Sequence, residues 1–391
     1  MVIRLDSIDQ LTEPESLERV LGPVSRVRRE PMSGASSFSG ARHERLRVDL
    51  ADGTSETLVL KLARPERNWI AQRTGDRLGR EAALLGEPAL AGVWEVFART
   101  YLAFAQADGE LGLLMVNLGE YLPPDVREPI TEAHEEALLS GLARLHARFW
   151  ESPALELPWL GNATALVRLL CPEILDDATH RDMVPSPLRE RVVEGWALAH
   201  ERLSSRAWGV LTRPADDWTR RFEPFPRTLI HGDSKVANFA LLPTGRLAAF
   251  DWEVVSGAIP TVELGWYLIV NSTRLRASGR RCSRPTGAIS RWSAALRSPS
   301  PSGHPCCCSD SRRRRPCCCG PRPSPAGRRD RAPRTSGRGG WRSWTFRGSS
   351  SPLRRQPRPP SMRMGGAAVS RERAEEYAQA GTRVSGPRTA K

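Results

Sequence analysis

Hydrophobic and polar residues follow two different periods along this chain, and the change of period comes near residue 118. Before that point, short apolar or alternating runs are separated by turns such as Ala51-Asp52-Gly53, which is typical of β-strands. The spacing predicts one helix over 76–85, and Thr12 to Glu15 has the pattern of a capping box for another helix that ends near Leu21. The predicted strands are 25–32, 42–50, 57–62, 93–104 and 111–116.

After residue 118 the pattern becomes mainly helical. Thr131 is a favourable N-cap for a long helix that ends near Trp150, with apolar residues every three to four positions. Further elements are predicted as helices over 163–171, 187–205, 215–222 and 262–275, and as short strands over 238–242 and 246–250. We therefore predict an α+β fold with two lobes, a small antiparallel-sheet lobe over 1–118 and a mainly helical lobe over 119–274.

Charge divides the chain at a second point. The whole chain has 58 Lys and Arg against 44 Asp and Glu, a net charge of +14. Residues 275–391 hold 27 of these basic residues and only 5 of the acidic ones, so residues 1–274 carry a net charge of −8. This balance excludes a basic surface on the predicted lobes as the basis for nucleic-acid binding.

The segment 275–391 is too poor in apolar residues to bury a core, since only seven of its 117 residues are Leu, Ile, Val or Phe. We expect it to be disordered. Three origins are open: a frame shift in a GC-rich gene, an arginine-rich nucleic-acid-binding arm, or a metal site built from its two cysteine triplets. The break falls inside the apolar pattern 262–275, which favours the frame shift, and adjacent cysteines lack the C-x2-C spacing typical of metal sites.

Cysteine usage and hydropathy indicate a cytoplasmic protein without a membrane partner. Cys171 is the only cysteine before residue 275, so no disulfide framework is expected there. The sequence has no run of about 18 apolar residues, which a membrane-spanning helix needs. Residues 1–21 lack the apolar core of a signal peptide.

The strongest chemical signal is the stretch His231-Gly232-Asp233-Ser234-Lys235-Val236-Ala237-Asn238, followed by Phe250-Asp251-Trp252. Phosphoryl transfer needs a carboxylate that orients the attacking hydroxyl group and oxygen ligands for Mg²⁺. Asp233 and Asn238 are five residues apart, and Asp251 follows on a second loop. This is the arrangement of the catalytic loop and the metal-binding aspartate of kinases.

These motifs resemble those of the aminoglycoside phosphotransferase and choline kinase-like family, which shares the protein-kinase fold. The stretch 257–268 is also similar to the family's G-x-P…D-L pattern, with Glu263 where Asp is usual. The resemblance covers about residues 10–274. It implies a two-lobed protein-kinase-like fold and the transfer of a phosphoryl group to an alcohol.

The resemblance also implies roles for the loop residues. Asp233 would accept the proton of the acceptor hydroxyl group, and Lys235 would neutralise charge on the moving phosphoryl group. Asn238 would belong to the catalytic residues and would hold Mg²⁺ together with Asp251. His231 would brace the loop. The alternative is a coincidental turn followed by a surface lysine.

Lysine usage indicates a phosphate-binding residue. The chain has only three lysines, Lys61, Lys235 and Lys391, and all its other cationic residues of this class are arginines. Lys61 lies in a predicted strand and Glu81 lies twenty residues later in a predicted helix. Kinases use such a pair to hold the α- and β-phosphates. An ordinary ion pair at the edge of the sheet is the alternative.

Two further segments are candidates for binding ATP or GTP. The loop 33–40 is rich in small residues and would cover the phosphates, although it lacks G-x-G-x-x-G; a plain hairpin loop is the alternative. The segment 115–118 would offer backbone groups to the purine; a simple linker is the alternative. The candidate residues are Gly34, Ser36 and Ser37 in the loop and Met115, Asn117 and Leu118 in the linker.

The sequence thus predicts an enzyme that moves the γ-phosphoryl group of ATP or GTP to a hydroxyl group of a small molecule, with Mg²⁺ as cofactor. A second hypothesis is a catalytically inactive, kinase-like, nucleotide-binding protein, because a frame-shifted C-terminus would lack helices that complete the large lobe in this family. A third is RNA binding through the arginine-rich segment. The acceptor cannot be derived from the sequence, because fold does not fix substrate.

Overall fold

A six-stranded sheet forms the N-terminal part of the protein in the computed structural model, which describes residues 2–32, 39–123, 129–171, 173 and 178–275. Its strands are β1 (Ile3–Leu5), β2 (Val24–Pro31), β3 (Arg42–Leu50), β4 (Ser55–Ala63), β5 (Tyr101–Ala107) and β6 (Glu110–Val116). They lie in the order β1-β5-β6-β4-β3-β2. Neighbouring strands are antiparallel except for β1, which the pattern does not predict and which pairs parallel to β5.

One face of this sheet packs against helix α1 (Pro14–Leu21). Leu17 of the helix is buried together with Leu46 and Leu58 of β3 and β4. The predicted capping box is wrong, because the N-cap residue is Glu13 and the Thr12 hydroxyl donates to the carbonyl of Asp9. Proline at the first helical position favours a helix start there, since its missing N–H would have no partner inside the helix.

The predicted strand 93–104 is wrong in its first half. Val93–Val96 forms a short helix, α4, and the strand begins only at Tyr101. Val93 and Phe97 are both completely buried in the main core. A short, continuous apolar run does not distinguish a buried strand from a buried helix, so periodicity alone could not separate the two.

The helix predicted over 76–85 begins four residues later, as α3 (Arg80–Gly86). The Asp76 carboxylate accepts the N–H groups of Leu78, Gly79 and Arg80 at 3.2, 2.9 and 2.8 Å, and this turn delays the helix. A short helix that the pattern does not predict, α2 (Trp69–Thr74), precedes it. The Asn68 side chain caps α2 by accepting two backbone N–H groups.

Helices dominate the C-terminal part. The Thr131 hydroxyl accepts the N–H of His134 at 3.2 Å, so the predicted N-cap is confirmed. Leu138, Leu142 and Leu145 of the helix that follows are buried in the main apolar core. The helices are α5 (Glu132–Arg148), α6 (Ala163–Val167), α7 (Ala178–Met183), α8 (Ser186–Arg202), α9 (Ser205–Leu211), α10 (Ala215–Phe222) and α11 (Pro260–Val270).

Two small sheets between these helices carry the motif residues. Strands β9 (Phe239–Leu241) and β10 (Leu247–Ala249) form an antiparallel hairpin close to the predicted bounds. Strands β7 (Gly161–Asn162), β8 (Thr228–Ile230) and β11 (Ser256–Ala258) form a second sheet in the order β7-β11-β8. His231 follows β8 directly, and Asp251 comes two residues after β10, so both motif segments begin where a buried strand ends.

The six-stranded sheet and the helices share one apolar core. Leu113 of the sheet, Leu138 of α5 and Trp252 belong to the same buried cluster. The Trp252 ring is completely buried and lies edge-on to Trp94 and Phe97, with ring centroids 6.2 and 5.7 Å apart. The chain therefore has the two-lobed, protein-kinase-like fold that the resemblance implies.

The last described helix is shorter than its sequence pattern. Helix α11 ends at Val270, and a turn follows in which the Arg274 N–H donates to the Asn271 carbonyl at 2.7 Å. Residues 276–391 lie outside the described residues, so the expectations for the arginine-rich segment stay predictions. Within the ranges that the structure covers, no helix is both long enough and apolar enough to cross a membrane.

Candidate active site

The loop between β8 and β9 is held in a conformation that only glycine fits well. Gly232 has a φ of +84°, and a Cβ atom there would lie 2.5 Å from the Val254 carbonyl oxygen. The His231 ring accepts the N–H of Asp233 on Nδ1 and donates from Nε2 to the Phe250 carbonyl, at 3.3 and 3.0 Å. This pattern requires a proton on Nε2, and it gives His231 the bracing contacts that the resemblance implies.

Four side chains meet at the centre of this loop, and we call them the catalytic-loop cluster: Asp233, Lys235, Asn238 and Trp266. The Asp233 Oδ2 atom accepts Lys235 Nζ at 2.7 Å and Asn238 Nδ2 at 3.0 Å. The Asp233 Oδ1 atom accepts Trp266 Nε1 at 2.9 Å. The structure thus brings together the three predicted catalytic residues and places Trp266, which was not predicted, in contact with one of them.

Glu263 of helix α11 anchors the loop. One carboxylate oxygen of this completely buried residue accepts the Gly232 N–H at 2.9 Å, and the other lies 2.7 Å from His146 Nε2. The Ser234 hydroxyl donates to the Glu263 carbonyl at 3.3 Å. Glutamate at this position, where the family usually has aspartate, therefore still anchors the loop. His146 is a buried histidine of α5.

A second group of side chains, the nucleotide-side cluster, consists of Lys61, Glu81, Tyr101 and Asp251. Lys61 Nζ lies 2.7 Å from Glu81 Oε2 and 2.6 Å from Asp251 Oδ1, and the lysine side chain is only 6% exposed. Glu81 Oε1 accepts the Tyr101 hydroxyl at 2.5 Å and the Asp251 N–H at 3.1 Å. The predicted Lys61–Glu81 pair is present, and it is buried rather than at the edge of the sheet. The contact of Lys61 with Asp251 links this pair to the helical lobe.

Burial and charge act in opposite directions at these lysines and at Asp251. Burial alone would raise the pKa of Asp251, but the ammonium groups of Lys61 and Lys235 outweigh it and hold that pKa well below its usual range. Burial alone would lower the pKa of Lys61, but Asp251 and Glu81 raise it well above normal. The pKa of Lys235 is raised in the same way, chiefly by Asp233 and Asp251 against the effect of burial. All three groups are therefore charged at neutral pH.

Glu253 is the exception among the acidic groups. Its burial and the neighbouring charge of Asp251 raise its pKa to about 7, although Lys61 opposes the shift. The Asn68 amide donates to its Oε2 atom at 3.1 Å. This carboxyl group lies two residues after the candidate metal ligand, so it adds a titratable group to the same edge of the site.

The two predicted Mg²⁺ ligands lie at the same end of the β9–β10 hairpin, since the Phe250 N–H donates to the Asn238 carbonyl at 3.2 Å. Asn238 Nδ2 faces Asp233, so its Oδ1 atom is the oxygen that a metal ion would use. Among the residues that the structure describes, no three His, Cys, Asp or Glu side chains form a metal-binding group. Mg²⁺ in kinase sites takes one or two protein ligands and completes its shell with phosphate and water oxygens, so Asn238 and Asp251 fit it.

The candidate purine-binding residues, Met115, Asn117 and Leu118, differ in which of their groups could face a nucleotide. Met115 and Leu118 are buried in two different apolar clusters, so only their backbone groups can face a nucleotide. The Leu118 carbonyl already accepts the Tyr121 N–H at 2.9 Å, and the Asn117 side chain accepts the Gly119 N–H at 3.1 Å. The phosphate-loop candidates Gly34, Ser36 and Ser37 lie outside the described residues.

Sequence reasoning missed Tyr101 and Trp266 as members of these clusters. Tyr101 gave no signal, because its contact with Glu81 depends on how β5 packs against α3. Trp266 gave a weak one, because it lies three residues after Glu263 and therefore on a neighbouring part of the same helix face. That spacing could have placed it beside the loop that Glu263 anchors.

Comparison with known proteins places the chain in a family. Solved structures that resemble it include the choline kinase LicA of Streptococcus pneumoniae (14% identity, 71% of this chain and 78% of that chain covered, TM-score 0.36). They also include the macrolide 2'-phosphotransferase MphH of Brachybacterium faecium (15%, 75% and 84%, 0.37) and an aminoglycoside-3'-phosphotransferase of type VIII (18%, 70% and 89%, 0.39). No curated protein sequence matches the chain.

The family model decides the assignment. It describes the phosphotransferase enzyme family, APH, and matches residues 37–282, which is more than half of the chain. The matched range contains both clusters, from Lys61 to Trp266. The resemblance seen in the sequence motifs is confirmed, and this chain belongs to the phosphotransferase enzyme family.

Proposed function

We propose that this protein transfers the γ-phosphoryl group of ATP, or of GTP, to a hydroxyl group of a small molecule. The observation that supports this most strongly is the pair of clusters built around Asp233 and Lys61, because one has the parts for orienting an acceptor and the other those for holding phosphates. In this proposal, residues 1–118 bind the nucleotide and residues 119–274 carry the catalytic loop and the acceptor site. We also propose a cytoplasmic location, where ATP is supplied.

Asp233 is the proposed base. Its carboxylate is only 18% exposed and is fixed by its contacts with neighbouring donors, so it can hold the attacking hydroxyl group in one orientation. As the acceptor oxygen bonds to the γ-phosphorus, the bond to the β–γ bridging oxygen breaks and the nucleoside diphosphate leaves. Asp233 takes the proton of the hydroxyl group. Positioning of this kind supplies most of the catalysis in phosphoryl transfer.

The two lysines have proposed roles at opposite ends of the triphosphate. Lys61, fixed by Glu81, would bind the α- and β-phosphates as a compact point charge. Lys235 would neutralise charge on the γ-phosphoryl group during transfer, because its ammonium group lies next to the base. Mg²⁺ held by Asn238 and Asp251 would neutralise phosphate charge.

The acceptors to be tested come from the solved structures with a similar fold. The solved structures with a similar fold are described as kinases of choline, aminoglycosides, macrolides and spectinomycin. These compounds carry hydroxyl groups on different skeletons, so they define a test panel and not a substrate.

The test is a phosphoryl-transfer assay with the full chain. Radiolabelled ATP or GTP with Mg²⁺ is mixed with choline, an aminoglycoside, a macrolide, spectinomycin or water alone. We expect labelled product with at least one acceptor and at least about 10³-fold slower product formation with Asp233→Ala, which should still bind nucleotide in a thermal-shift assay. Nucleotide binding by the wild-type protein without transfer to any acceptor or to water would instead favour the inactive, nucleotide-binding alternative. The break in composition after Leu275 is the observation behind that alternative.

A further inference from the structure

The two oxygens of Asp233 are not equivalent. An ionised carboxylate has about two acceptor positions on each oxygen. In the described structure, Oδ2 accepts two donors, Lys235 Nζ and Asn238 Nδ2. Oδ1 accepts one donor, the indole N–H of Trp266. Oδ1 therefore has an acceptor position left for a hydroxyl group, whereas the positions on Oδ2 are filled.

The indole group that donates to Oδ1 belongs to helix α11, which is tied to the catalytic loop. Trp266 lies on α11, one turn after Glu263, and Glu263 ties α11 to the catalytic loop through the Gly232 N–H and the Ser234 hydroxyl. Trp266 is partly exposed, so part of this residue is accessible to a bound molecule. The hydrogen bond of 2.9 Å thus joins the base to a rigid element rather than to a mobile side chain.

We propose that Trp266 positions Asp233 so that Oδ1 is the atom that receives the proton of the acceptor hydroxyl group, which binds beside the indole ring. This rests on the proposed function, since it specifies how the base of that reaction works. The hydroxyl oxygen bonds to the γ-phosphorus, its proton passes to Oδ1, and the bridging oxygen leaves with the nucleoside diphosphate. Without the indole N–H, the carboxylate is held only through Oδ2, by Lys235 and Asn238, and the hydroxyl group at Oδ1 loses its defined position.

The first test is Trp266→Phe, which retains an aromatic ring and removes the N–H donor. We expect kcat to fall by about 10- to 100-fold, as small misplacement of a reacting group does. The KM for ATP should stay within about twofold of wild type, because Trp266 has no contact with the nucleotide-side cluster. A purely structural role would lower the melting temperature and leave kcat of the folded fraction unchanged.

The matched control is Trp150→Phe. Trp150 lies after the end of α5, is 41% exposed and takes no part in either cluster. We expect wild-type kcat and KM for this variant. Site-specific replacement of Trp266 by 3-benzothienylalanine, which has the shape of tryptophan without the N–H, should reproduce the loss seen with Trp266→Phe. Wild-type kcat in both Trp266 variants would overturn the proposal.

The assay also separates this proposal from the proposed function. If the wild-type protein transfers phosphate neither to an acceptor nor to water, the proposed function fails. If the wild-type protein is active and the Trp266 variants are equally active, only the role of Trp266 fails. A direct readout is the indole ¹H–¹⁵N resonance of Trp266, which should move upfield in Asp233→Ala; a resonance that does not move would overturn the hydrogen bond itself.

Discussion

The nucleotide-side cluster and the catalytic-loop cluster are built in opposite ways. The first takes one side chain each from β4, α3 and β5 and from the segment after β10, so it exists only when the two lobes are in contact. Its lysine is 6% exposed. The second takes three residues from one loop and one from α11, and its lysine is 36% exposed. The comparison indicates that the first cluster depends on lobe packing, whereas the second is preassembled within the helical lobe and has the more exposed lysine.

This difference predicts that changes in the catalytic-loop cluster mainly affect turnover, and the largest effect should come from Asp233→Ala. We expect kcat to fall by about 10³- to 10⁴-fold, because the variant loses both the base and the group that orients the hydroxyl. The KM for nucleotide should change little, since Asp233 has no contact with the nucleotide-side cluster. Steady-state kinetics and a thermal-shift titration with Mg-ATP measure the two quantities. Unchanged turnover would contradict the assignment of the base.

Changes in the nucleotide-side cluster should affect stability as well as binding. Lys61→Met leaves the buried Glu81 and the partly exposed Asp251 without their cation, and loss of one partner of a buried ion pair such as Lys61–Glu81 costs about 3–5 kcal/mol. Urea unfolding should show that loss, and nucleotide binding should weaken at the same time.

The matched control for Lys61→Met is Arg148→Ala, which breaks an exposed ion pair with Glu95. Both of its side chains are more than half exposed. Such pairs contribute about 0–1 kcal/mol, so the unfolding free energy should barely change. Equal losses in the two variants would mean that the lobes do not depend on the buried bridge.

Gly232→Ala tests whether the catalytic-loop cluster depends on the conformation of the loop. The new Cβ atom would lie 2.5 Å from the Val254 carbonyl, at a φ of +84°. Gly245→Ala is the control, because Gly245 has a φ of +76° with nothing within 4 Å of its Cβ position. Both variants should lose about 1 kcal/mol from the left-handed conformation. Only Gly232→Ala should also lose turnover, by about tenfold or more; equal kinetics in both would refute the steric argument.

The smallest predicted effect is a pH dependence of stability caused by His134, which contacts strand β9 of the hairpin. Burial lowers the pKa of His134, although its Nε2 atom lies 3.0 Å from the Phe239 carbonyl. Because the folded-state pKa is below the unfolded value of about 6.5, this histidine costs no stability above that pH and destabilises the fold as the pH falls below it. Unfolding curves should give a lower free energy of unfolding at pH 5.5 than at pH 7.5. This difference should be smaller in His134→Gln.

The control for that prediction is His200→Gln, because His200 is exposed on α8. Its pH dependence should equal that of the wild-type protein. If the two variants behave alike, the acid sensitivity of the fold comes from other groups than His134.

The catalytic-loop cluster was largely predictable because its chemistry is local in sequence. Asp233, Lys235 and Asn238 lie within six residues, and one loop conformation is enough to bring them together. The helix around Glu81 and the strand around Lys61 were also found. The bounds of 93–104 were wrong, since apolar residues that are buried on all sides lose the periodicity by which strands and helices are distinguished.

The sequence by itself determined the two lobes, the family and the identity of the loop residues, because patterning and a short motif depend on neighbours along the chain. Only the tertiary structure decided that Lys61 joins Glu81 to Asp251, and that Trp266 and Lys235 occupy different oxygens of Asp233. Lys61 is 20 positions from Glu81 and 190 positions from Asp251 along the chain. The contacts of Trp266 and Lys235 differ only in which oxygen of the Asp233 side chain accepts them. Burial and hydrogen-bond direction settle them, and both exist only once the lobes have packed.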